Sequence, residues 1–253
     1  MIFFYRLFPT LLALTVGMSF YWQIKEPAAY PWVGLFGVLL TVIAAFIMSR
    51  KRVRILDLIE KMLPTALFLL ALVFGMLLAE GQIAVWAIII FGAVVAFLSL
   101  ELLFLLSYMP SRYPVNGLSH VNIAYVPFIV WYVIANSVGL MAFLHSPVWV
   151  HVLILTVLSV ILFRTTGHPS ATREQNRLWM FVGGLAGLHI GLLGIMLPLS
   201  MSAQATLGMI VFCAILRLRR YMYHPMPVRK QAWFEGAMAI AIIIVAISTA
   251  KWI

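Results

Sequence analysis

Acidic residues are scarce in this chain: seven in 253 positions, against 17 lysines and arginines. Cysteine is scarcer still. Cys213 stands alone in an apolar run, so no disulfide can close within the chain and no cysteine metal cluster can form. Charged residues of both signs amount to 9%, where a soluble domain carries about a quarter. Long polar connections are missing as well, and none exceeds RTTGHPSATREQNR (164–177). That leaves no soluble domain to hold a nucleotide, no Gly-rich phosphate loop and no cleft outside the membrane. An ATP-driven pump is excluded unless a separate subunit supplies the motor.

The signatures of intramembrane enzymes are absent too. There is no Gly-x-Ser-x-Gly elbow, no His-Glu-x-x-His, no paired acids and no mid-span lysine for a Schiff base. No metal and no cofactor is expected, and the balance leans away from an enzyme.

What the chain has is apolar surface: 64% hydrophobic residues and a mean hydropathy of +1.08. A soluble fold of this length could not hide so many Leu, Ile, Val and Phe side chains, whereas a bilayer accommodates them. Inside hydrocarbon every backbone N–H and C=O must be satisfied within the segment, so the spans are helices. The expectation is an all-α, polytopic transmembrane helical bundle, one integral membrane domain over 1–253. A span needs about 20 mostly apolar residues. Nine segments approach this: 3–22, 31–48, 62–79, 83–108, 120–144, 148–163, 178–197, 202–218 and 232–247. The sixth, eighth and ninth are short and need their flanks to extend them; eight spans is the alternative. The N-terminal stretch lacks a small-x-small cleavage site and ends in Phe20, Tyr21 and Trp22, so it reads as a retained first span.

Orientation gives an independent test. With the N-terminus cytoplasmic, the inner loops collect Arg6, then Arg50 to Lys61, then Arg112, then Arg164, Arg173 and Arg177, then Arg217 to Lys230. Fifteen of the 17 basic residues fall inside, leaving only Lys25 and Lys251 outside. This is the positive-inside pattern for nine spans with the C-terminus outside. The net charge of +10 is therefore a topogenic signal facing anionic lipid, and nucleic-acid binding is not expected. Thr172 and Gln175 form a capping-box pattern ahead of the seventh span. Ser119 is placed to cap the fifth, after the Pro110, Pro114 and Asn116-Gly117 turn signals.

The seventh span holds GGLAGLHIGLLG, in which Gly183, Gly187 and Gly191 recur every four residues. Such a ridge lets another helix backbone approach closely, either in the same chain or in a second copy. Ionisable groups in hydrocarbon are costly, about 2.5–3.5 kcal/mol at a helix centre, so each needs a reason. His189 lies near mid-depth opposite the ridge. Glu101 lies short of the cytoplasmic end of the fourth span, and Glu235 enters the ninth from the same side. His120 and Asn122 open the fifth span, with Arg112 in the turn between. These residues form a candidate intramembrane polar site, with Arg112, Arg164 and Arg177 as candidate headgroup or phosphate contacts. The plain alternative is that each acid and imidazole pairs with a neighbour and fixes a helix. Glu80, His145 and His151 on the outer side lack metal-site spacing and read as interfacial residues.

Three functions follow in order. The first is a non-catalytic binding or scaffold subunit of a membrane complex, or a lipid-interacting helper. The second is a small proton- or ion-coupled transporter using Glu101, Glu235 and His189. The third is an intramembrane enzyme on lipid-linked phosphates, with inner arginines on the phosphate and Glu101 or His120 as acid/base. The expected partners are membrane lipids, other membrane subunits or a second copy meeting the glycine ridge, in a plasma or bacterial inner membrane.

Overall fold

The computed structural model describes residues 2–49, 52–79, 81–114, 116–167, 171–197, 199–223 and 229–249. Nine α-helices account for most of them: α1 Ile2–Lys25, α2 Trp32–Ser49, α3 Ile55–Gly75, α4 Gln82–Tyr108, α5 Gly117–Leu144, α6 Val148–Thr165, α7 Arg173–Met196, α8 Met201–Tyr223 and α9 Arg229–Thr249. Eight are long and apolar enough to cross a membrane, and α9 carries a shorter apolar segment, Trp233–Ser248. The chain is an all-α polytopic bundle of a multi-pass membrane protein.

Several helices outrun the apolar segment that announces them. α3 begins at Ile55, seven residues before the expected span, because Leu58 and Met62 face inward while Asp57 and Glu60 stay in the polar first turns. α7 begins at Arg173 behind Thr172, whose hydroxyl accepts from the Gln175 N–H while the Gln175 side chain accepts from the Thr172 N–H. The capping box is complete. Ser119, expected as a cap, lies inside the first turn of α5, which starts at Gly117. Proline sits within α1, α3 and α5 (Pro9, Pro64 and Pro127). A membrane helix tolerates this where neighbours re-satisfy the freed carbonyl.

The helices group into two compact units, Met1–Tyr125 and Val126–Ile253, with the boundary inside α5. Lipid is as apolar as leucine, so contact between helices depends on close fit rather than on escape from water. In the first unit α1 lies against α2 and α4, and α2 also meets α3. The fit comes from small residues set under large ones. A Cβ at Gly92 would stand 2.5 Å from the Phe20 ring, which is fully buried. One end of this unit is filled by Met48, Leu58, Met62, Leu100, Leu103 and Phe104.

In the second unit α6 and α7 make the tightest pair. A Cβ at Gly183 would lie 2.6 Å from Phe163, and one at Gly187 would lie 2.5 Å from the Leu155 carbonyl oxygen. At Gly191 it would lie 3.1 Å from the Val152 Cα. The glycine ridge of α7 is thus taken up by α6 of the same chain. α8 packs on α7 and on α5 through Gly208, where a Cβ would meet Ile134 at 2.5 Å and Ile190 at 2.9 Å.

Candidate functional site

In the first unit a band of polar side chains ties α3, α4 and α5 together. The Thr65 hydroxyl donates to Ser99 Oγ at 2.9 Å, and Ser99 Oγ lies 3.4 Å from the Tyr125 hydroxyl. The Tyr125 ring stacks on Phe68 with centroids 5.0 Å apart. Asn122, one turn earlier on α5 and 3% exposed, donates through Nδ2 to the Lys61 carbonyl at 2.7 Å. Its Oδ1 is buried without a partner. Asn122 therefore works as a bond between α5 and α3.

Glu101, His120 and Arg112 of the same unit make no hydrogen bond to this band. Glu101 on α4 is half-buried, and it makes no hydrogen bond or ion pair among the described residues. His120 is exposed and its Nδ1 lies 2.9 Å from the Asn116 carbonyl oxygen, one turn back. Arg112 is exposed in a short 3-10 turn, Pro110–Arg112. The turn is closed by the Tyr113 hydroxyl, which accepts from the Leu118 N–H at 2.9 Å. Glu235 belongs to the second unit, where the Tyr221 hydroxyl donates to its Oε2 at 2.5 Å and Arg217 stands 3.5 Å from its Oε1. That set joins α8 to α9.

One group that sequence reasoning passed over is the most enclosed cation among the described residues of the second unit. Arg219, 2% exposed, sits near the end of α8 and reaches the C-terminal end of α6. Its Nη1 donates to the Phe163 carbonyl and its Nη2 to Asn176 Oδ1 on α7 at 2.6 Å. The guanidinium carbon lies 6.0 Å from the Phe163 ring centroid and 5.9 Å from that of Trp179. The last carbonyls of a helix lack intrahelical donors and carry the negative end of its dipole, so a cation there is favoured. Beside it, Trp179 Nε1 donates to the Tyr223 hydroxyl at 2.9 Å. One side chain fastens three helix ends. The sequence did carry a signal: Ala205, Phe212 and Arg219 recur every seven residues on one face of α8, and all three are buried. Reading Arg217 to Arg220 as one basic run hides that spacing. Arg164 and Arg177, the expected headgroup contacts, are exposed at the neighbouring ends of α6 and α7.

The two histidines on α6 and α7 differ in which face of the helix they occupy. His189 is exposed on α7, its Nδ1 2.7 Å from the Leu185 carbonyl oxygen one turn earlier. His151 on α6, read from sequence as interfacial, is 1% exposed. Sequence places it one turn into α6, but only packing shows that this turn faces α7. His145 is exposed in the preceding turn with a φ of 49°. Glu80 lies outside the described residues. Among the described residues no three His, Cys, Asp or Glu side chains are grouped to hold a metal. No protein-family model, curated protein or solved structure matches this chain.

Proposed function

We propose that this multi-pass protein works by binding: it is a non-catalytic subunit or scaffold of an assembly in the cell membrane, with its N-terminus in the cytoplasm. The observation that carries the reading is His189. It stands on the outward face of α7 among exposed Leu178, Phe181, Leu185, Leu192 and Met196. It lies about 10 Å short of the Met196 end at 1.5 Å per residue. Its Nδ1 faces a carbonyl and so carries the proton, which leaves Nε2 as an acceptor. Lipid tails offer no donor, and an unpaired acceptor in hydrocarbon is costly. A partner span bringing a hydroxyl, amide or indole N–H removes that cost. Two copies meeting at His189 would present acceptor to acceptor, so the complementary surface differs from this one.

The test is purification in mild detergent followed by native mass measurement. The wild-type chain is expected to carry a membrane partner that His189→Phe loses, at an unchanged level of the chain itself. A solitary wild-type chain sinks the proposal.

A second reading, a small proton- or ion-coupled transporter, is favoured by Glu101. This half-buried carboxylate within α4 makes no hydrogen bond or ion pair among the described residues, and such groups commonly mark ion pathways. In vesicles holding the purified protein, pH-dependent flux that Glu101→Gln abolishes would select it. Absence of flux returns the first reading.

A further inference from the structure

The outer ends of α6, α7 and α8 meet around a buried imidazole with nothing to bond. His151 is 1% exposed, and neither Nδ1 nor Nε2 has a hydrogen-bond partner. The Gly191 backbone lies beside the ring without closing a bond to it. Across from it, Gln204 opens α8 and spends its Nε2 on the Leu197 and Leu199 carbonyls, at 2.9 and 3.0 Å. That pair of bonds fixes the amide's orientation and turns Oε1 inward, where it too is buried and unpartnered. Between the two side chains is Gly194. A Cβ placed there would stand 3.5 Å from His151 Nε2 and 3.8 Å from Gln204 Oε1, with no closer neighbour. The missing methyl leaves a space bounded by two orphaned polar atoms.

A neutral imidazole has one donor and one acceptor, and an amide oxygen accepts only. Leaving such groups unpaired in the interior is unfavourable, and the usual remedy is an ordered water with two or more polar partners. We propose that His151, Gln204 and the open side of Gly194 enclose a site for one water molecule, which links α6 to α8 at this end of the second unit. Either tautomer is served. If Nε2 carries the proton, the water accepts from it and donates to Oε1. If Nδ1 carries it, the water donates to both Nε2 and Oε1. The site is independent of His189 and of any partner.

Gly194→Ala tests it, because the methyl fits at ordinary contact distance and takes the water's place. In a helix with an empty gap, glycine to alanine raises the thermal midpoint. With the water evicted and two polar atoms stranded, the midpoint measured in detergent falls instead, by about 2–4 °C. Combining the change with His151→Leu removes the group that needs the water, and alanine then no longer lowers the midpoint. Gln204→Met serves as the second background if His151→Leu does not fold. A higher or unchanged midpoint for Gly194→Ala alone overturns the site, as does a fall that persists in the leucine or methionine background.

Discussion

Arg219 on α8 donates to the Asn176 amide oxygen on α7 across 2.6 Å, and no carboxylate among the described residues is bonded to it. Its charge is balanced by the carbonyl end of α6 and by two aromatic faces. Arg219→Leu leaves the Phe163 carbonyl and Asn176 without their donor, at about 1–3 kcal/mol for each buried group so stranded. Arg219→Lys is expected to recover little, because an ammonium lacks the planar fork that reaches both acceptors at once. The thermal midpoints of the two variants in detergent check this. Lysine matching the wild type would mean that charge alone holds the three helix ends.

The glycine ridge predicts an order of damage. At Gly187 an added Cβ meets the Leu155 carbonyl oxygen at 2.5 Å, and backbone cannot step aside. At Gly191 the closest atom is 3.1 Å away. Gly187→Ala should therefore cost more than Gly191→Ala, within the range of about 1–3 kcal/mol for overpacked cores. At Gly236 on α9 a Cβ meets nothing within 4 Å. Alanine there should be neutral or stabilising by about 0.5–1 kcal/mol. Thermal midpoints of the three variants give the order, and equal losses at Gly187 and Gly191 would discount close approach as the ridge's role.

Sequence made the architecture readable because the bilayer's demands are simple: length and apolarity suffice to delimit the helices. It also marked the α7 cap, since Thr172 and Gln175 act within one turn, and the ridge, since four-residue spacing is a property of one helix. Partners across helices were not readable. Asn122 finds the Lys61 carbonyl 61 positions away, and Arg219 finds Asn176 43 positions away. Nothing local distinguishes the buried His151 from the exposed His189, because each sits in an apolar run and only its neighbours decide which face is covered. The acids were grouped by depth alone, which says nothing of azimuth. Glu235 turned to Tyr221 and Arg217 on the adjacent helix, and Glu101 to no described residue.

Asn122 offers a cleaner measure of a single helix-to-helix bond. Asn122→Ala and Asn122→Leu both remove the donor to the Lys61 carbonyl and the unpaired Oδ1, but alanine opens a gap whereas leucine fills the volume. Interhelical hydrogen bonds in membranes average about 0.6 kcal/mol and reach about 1.7. Asn122→Leu is therefore expected to cost less than Asn122→Ala, the difference being packing. If leucine is the worse of the two in an unfolding titration, Asn122 has a polar role beyond this bond, and the inner polar site regains its amide.

Topology can be read directly with thiol reagents. Cys213 lies in α8, so Cys213→Ala gives a background in which an introduced cysteine is the only target. Ser111 sits in the turn after α4 and Ser146 in the turn after α5, at opposite ends of one helix of 28 residues. A helix of that length, about 42 Å at 1.5 Å per residue, exceeds the hydrocarbon thickness of about 30 Å. With basic loops inside, Ser111→Cys should be protected from a membrane-impermeant maleimide in intact cells and Ser146→Cys should react. Reversed labelling would turn every loop over and detach the basic residues from anionic lipid. Labelling of both from one side would show that α5 does not cross, and with it would go the depth assigned to Glu101, His120 and Asn122.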